Sequence, residues 1–165
     1  MSLNRTSLER TSDREIVIMR TFRAPPDIVF DAWTRPELVK RWWAPASRGV
    51  TMIECAADVR PGGTYRYVLA AGPDAAIAFA GEYREVARST GLVYTQRFEP
   101  VLGQPVPGEA LVTITFEAQP GATKVIAHEV YPSKEVLDGV LASGMEEGLR
   151  ETYEQLEHLV ATLAA

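Results

Sequence analysis

The chain predicts an α+β domain, a curved seven-stranded antiparallel sheet around a long C-terminal helix, with two short helices after the first strand. Three observations carry this. From Thr51 to Tyr131 the apolar residues recur with period two, in six runs separated by short Gly- and Pro-containing turns. From Ser133 the period becomes 3.6 and holds to the end. No alternation of strand with helix occurs, so a parallel doubly wound sheet is not expected.

The elements follow in order. The opening "MSLNRTSLERTSDR" is polar and aperiodic, so residues 1–13 are expected to be a loosely ordered segment, its "MSL" resembling an expression scar, and residues 14–165 a single domain. "REIVIMRTFR" puts Ile16, Ile18 and Phe22 on one face of a strand. Pro25 and Pro26 cannot donate to a ladder but suit a first helical turn, so "PPDIVFDAWT" reads as a short helix burying Val29, Phe30 and Trp33. A second helix should begin at once in "TRPELVKRWW". Thr34 and Glu37 have capping-box spacing, and Trp33 and Leu38 stand where a hydrophobic staple would pack.

The six later strands are "TMIECAADV", "GTYRYVLA", "AIAFAGEYREVA", "LVYTQRFEP", "EALVTITFEA" and "TKVIAHEVY", forming a meander through turns such as "RPGG" and "QPGA". Gly81 suggests a bulge. "LGQPVPG" is the longest irregular link and is placed at a pocket mouth. The final stripe, Leu137, Leu141, Met145, Leu149, Thr152, Leu156, Val160 and Leu163, predicts one continuous helix of roughly 30 residues, about 45 Å long. Gly139, Gly144 and Gly148 interrupt its first half, each costing roughly 1 kcal/mol relative to alanine. On an inward face they would either let the sheet approach or leave a hollow.

Composition excludes several functions. The 165 residues carry a net charge of −5, which argues against a dedicated binder of nucleic acid or anionic membrane. No apolar run approaches the roughly 20 residues needed to cross a bilayer, and no secretory leader is evident, so a cytoplasmic location is expected. One cysteine, Cys55, reads as a buried small hydrophobe and permits no internal disulfide. With only His128 and His158, no metal site is expected, and no cofactor motif occurs.

The combination "RTFRAPPDIVFDAWTRPELVKRWWAP", "DVRPGGTYRY", "GEYREV" and "GMEEGL" resembles the AHSA-type family, related to the activator of the heat-shock protein 90 ATPase, within the SRPBCC/START/Bet v 1-like superfamily. That resemblance spans about Arg14 to Leu163. It implies the helix-grip fold, with a deep apolar cavity between sheet and long helix. Family members include lipid and polyketide binders, aromatase/cyclases and co-chaperone domains. Two positions depart from the usual pattern: Gly148-Leu149 stands where Gly-Trp is common, and Arg35 where an acid is common.

Candidate contact residues come from the inner sheet face, the short helix and the long helix. Trp42 and Trp43 follow Leu38 and Val39 at i, i+4 spacing, so they form an aromatic block that closes the end of the sheet and lines a pocket. Tyr65, Tyr67, Phe79, Tyr83, Tyr94 and Phe98 share the alternation of the inward set; Met145 and Leu149 lie on the helix stripe. Tyrosine offers apolar area with a hydroxyl that can fix the polar end of a greasy ligand. His128 completes the contact set, though both faces of its strand hold apolar residues. Glu82, Glu129 and His128 are the acid or base candidates, and no catalytic motif assigns them a role.

The expected function is the holding of a small hydrophobic or amphipathic molecule in the cavity. The alternatives are a co-chaperone-like interaction module and a cyclase, dehydratase or hydrolase acting in the same cavity. A homodimer through a sheet edge or the short helices is compatible with the layout.

Overall fold

A computed structural model describes residues 5–72, 75–100 and 108–165. Eight strands form one antiparallel sheet in the order β1-β2-β8-β7-β6-β5-β4-β3. They are β1 Ser7–Arg10, β2 Glu15–Phe22, β3 Thr51–Ala57, β4 Thr64–Ala70, β5 Ala76–Ala87, β6 Gly91–Pro100, β7 Ala110–Gln119 and β8 Ala122–Val130. The helices are α1 Pro26–Thr34, α2 Pro36–Val39, α3 Lys134–Ala142 and α4 Met145–Ala164. This is the open-sheet helix-grip architecture, with α3 and α4 against the concave face.

The eighth strand corrects the expected count of seven. Ser7–Arg10 is too short and polar to show a period, yet it pairs with β2 from Ser7↔Met19 to Arg10↔Ile16. Side chains outside the ladder fix it. Thr6 is buried, its Oγ1 accepting from Arg20 Nη1 at 3.0 Å. Arg150 of α4 donates to the Thr6 carbonyl.

In β2, β6 and β7 the inward rows follow the alternation, and β8, whose orientation the alternation leaves open, joins them through Ala127 and Glu129. Across the sheet, Ile16 aligns with Glu129, Val112, Tyr94 and Tyr83, and Ile18 aligns with Ala127, Ile114, Leu92 and Val86. Phe22, Phe116, Trp33 and Tyr153 join these rows to α1 and α4 through edge-to-face ring contacts, with centroids 5.7 to 6.4 Å apart.

Three local expectations are corrected. Thr34 does not cap α2: its hydroxyl donates to the Phe30 carbonyl at 2.8 Å, so it finishes α1, and Arg35 takes the cap position with no side-chain bond. The bulge in β5 falls between Tyr83 and Glu85, whereas Gly81 serves a close approach, since a Cβ there would stand 1.8 Å from the Thr95 carbonyl oxygen. The single long helix is two. Gly144 takes φ +84°, a left-handed conformation open to glycine, so α3 ends at Ala142 and α4 restarts at Met145 while the apolar stripe runs on.

The "LGQPVPG" link falls almost wholly outside the described residues. No helix among the described residues is long and apolar enough to cross a membrane.

Candidate functional site

The helices grip the sheet at one end and stand away from it at the other. In the C-terminal half of α4, Leu156, Leu159 and Val160 are buried against the sheet and α1. In its first turns Met145 and Leu149 are only half-buried. Between that half of α4, α3 and the sheet lies a cavity of about 1060 Å³. The glycines bound it. A Cβ built on Gly139 or Gly148 meets nothing within 4 Å, so neither glycine serves a close approach of the sheet; Gly148 borders the hollow half-buried and Gly139 lies exposed at its rim.

Each predicted contact residue can now be placed. Phe79, Tyr94 and Phe98 line the cavity from the sheet, and Met145 and Leu149 line it from α4. Trp42 and Trp43 close its end together with Trp33. Trp42 is buried, its indole donating to the Ala32 carbonyl at 2.8 Å and its ring 4.9 Å from that of Trp33. Gln155 of α4 donates to the Trp42 and Ala44 carbonyls at 2.9 and 2.8 Å, tying this aromatic lid to the gripping helix. Trp43 sits deeper along the sheet, 5.2 Å from Tyr67 and 4.9 Å from Phe79.

Tyr65, Tyr67 and Tyr83 stand apart from the main space. They pack around a separate void of about 10 Å³, no larger than one water needs. The Tyr65 hydroxyl is satisfied within the protein, by the Thr95 carbonyl at 2.9 Å and Gln96 Oε1 at 3.0 Å. Burial pushes the phenols of Tyr65, Tyr67 and Tyr94 well up and that of Tyr83 up to about 12, so all four stay neutral. Tyr65, Tyr67 and Tyr83 are thus mainly a packed base beneath the cavity.

His128 is a correction. Its Nε2 lies 2.7 Å from Glu15 Oε1 on the convex face, where both side chains are more than a third exposed. Strand alternation explains this: if Ala127 and Glu129 face inward, His128 must face out. Glu82 is exposed as well. Of the three acid or base candidates only Glu129 reaches the cavity. One of its oxygens, Oε1, accepts from the Tyr131 hydroxyl at 2.6 Å. Burial raises the Glu129 carboxyl above the ordinary value, and the Tyr131 bond opposes that shift in part. Glu129 is half-buried and borders the cavity.

Trp33, Tyr131 and Tyr153 also line the cavity and are not among the contact residues expected from the sequence. Tyr153 falls between positions of the helix stripe, and Tyr131 closes the run "TKVIAHEVY", whose inward face the alternation does not decide. Cys55 is half-buried, its Sγ 3.5 Å from the Pro36 carbonyl oxygen, and burial pushes the thiol up to about 11. A group of three or more metal-ligating side chains is not found among the described residues.

The family model described as "Activator of Hsp90 ATPase homolog 1-like protein" matches residues 23–161. The chain belongs to this family. With it comes the SRPBCC/Bet v 1-like superfamily, whose helix-grip fold this AHSA1-type protein displays. Among solved structures, the chain is similar to a protein from Rhodobacter sphaeroides at 26% identity and TM-score 0.82, covering 96% of this chain and 99% of that one. A Mycobacterium smegmatis protein is 26% identical with TM-score 0.80, covering 96% and 98%. A Staphylococcus epidermidis protein is 28% identical with TM-score 0.76, covering 96% of each. No curated protein matches the chain.

Proposed function

We propose that this AHSA1-type protein binds a small hydrophobic or amphipathic molecule between its sheet and the α3–α4 pair. The observation that carries this reading is the cavity of about 1060 Å³ bounded by Gly139 and Gly148. A helix that only needed to pack would gain roughly 1 kcal/mol from alanine at each position. At the half-buried Gly148 the missing side chain keeps space open instead.

The walls suit such an occupant. Aliphatic and aromatic side chains dominate, with Gln96, Glu129 and the hydroxyls of Tyr94, Tyr131 and Tyr153 as polar points. A ligand burying about 200 Å² of apolar area would gain about 5 kcal/mol before the costs of association. The polar points would then orient it.

Native mass spectrometry and displacement of a fluorescent fatty-acid analogue test the reading. One molecule displaced per chain is expected, and the variant Gly148→Trp should lose the uptake. Failure of every apolar probe to bind the wild-type chain would end it. A second reading comes from the family description, which names an activator of the Hsp90 ATPase. It predicts faster ATP turnover by Hsp90 at saturating protein, and unchanged turnover counts against it.

A further inference from the structure

We infer that the cavity prefers an apolar molecule bearing a basic nitrogen, whose amine meets the Glu129 carboxyl. This rests on the binding reading above and names the ligand class for the same site. The carrying observation is an imbalance of charge around that carboxyl. Among the described residues three charged side chains line the cavity: Glu129, Glu135 and Arg48. Arg48 is exposed and already opposed, its guanidinium 3.8 Å from Glu147 and 3.7 Å from Glu151. Glu135 is exposed in the first turn of α3.

Among the described residues that line the cavity with Glu129, no unopposed cation faces its carboxyl. Its own strand offers His128, which points outward to Glu15. From β2 comes Arg20, whose charge is opposed by Glu154 at 2.9 Å and whose Nη1 also donates to Thr6 at 3.0 Å, while its buried Nε has no partner among the described residues. Tyr94 from β6 and Tyr153 from α4 are neutral phenols, as is Tyr131, the one hydroxyl that bonds the carboxyl among the described residues. Tyr131 occupies Oε1, and Oε2 makes no hydrogen bond among these residues while the side chain borders open space.

Three ligand termini then differ in kind. A carboxylate would bring two acids into one apolar chamber, where one must keep its proton. An alcohol adds one neutral hydrogen bond. An amine forms a pair of zero total charge whichever partner holds the proton, so the buried acid is matched. The predicted order of affinity is amine, alcohol, carboxylate.

The test is calorimetric titration at neutral pH with dodecylamine, dodecanol and dodecanoate, each below its micelle-forming concentration. Dodecylamine should bind one per chain and at least about tenfold tighter than dodecanoate. Glu129→Gln should lower dodecylamine affinity about tenfold and leave dodecanol within about twofold. Circular dichroism checks the fold of that variant, and Glu129→Leu serves if it is unfolded. If dodecanoate binds as tightly as dodecylamine, or the amine preference survives in the variant, this inference is wrong and the cavity reading stands. If none of the three binds, the cavity reading falls and takes this inference with it.

Discussion

The Tyr131 hydroxyl donates to Glu129 Oε1 across 2.6 Å, joining two residues whose side chains share the concave face at the end of β8. The bond stabilises the ionised carboxyl against the burial that disfavours it. Tyr131→Phe should therefore raise the Glu129 pKa further, read by following its side-chain carboxyl carbon in an NMR titration. An unchanged midpoint would show that the bond is absent in solution.

Glu129 also gives stability a defined pH dependence. Its folded pKa is raised, so between the unfolded value and the folded one the native state holds the extra proton, and stability falls as pH rises through that window. Glu129→Gln removes the dependence. Thermal melts should show the variant more stable than wild type at neutral pH, with the gap closing below the ordinary glutamate range.

Two glycines of the C-terminal helices should respond oppositely to alanine. Gly148→Ala puts a methyl into open space and removes a helix penalty, so it should stabilise by about 1 kcal/mol. Gly144→Ala forces a side chain onto φ +84° and should destabilise by about 1–2 kcal/mol. Urea unfolding measures both, and stabilisation by Gly144→Ala as well would mean that α3 and α4 are one continuous helix.

The adjacent tryptophans should separate stability from binding. Trp42→Ala opens the lid core and orphans the Ala32 carbonyl, a loss of about 3–5 kcal/mol. Trp43 is only partly buried and borders the cavity, so Trp43→Ala should cost less stability and weaken uptake of an apolar probe at least as much. Equal effects on both measurements at both positions would contradict this division.

His128→Ala should leave probe affinity unchanged, because the imidazole pairs with Glu15 on the convex face. A loss of affinity would require the strand to present the opposite face.

The sequence by itself determined the order of elements from β2 onward, the period-two alternation of the strands and the apolar stripe of the C-terminal helices, because each is a local period imposed by burial on one side. It also located the glycines that matter. Tertiary structure alone decided the rest. Period cannot show that Gly144 turns left-handed, since the stripe continues in register across the break. Nor can it orient β8, whose two faces are both partly apolar: pairing with β2 and β7 sent Glu129 inward and His128 out. The polar first strand followed from contacts with Arg20 and Arg150, distant in sequence. Whether Gly139 and Gly148 meant close approach or empty space depended on the distance between two separately formed surfaces, which no one-dimensional pattern encodes.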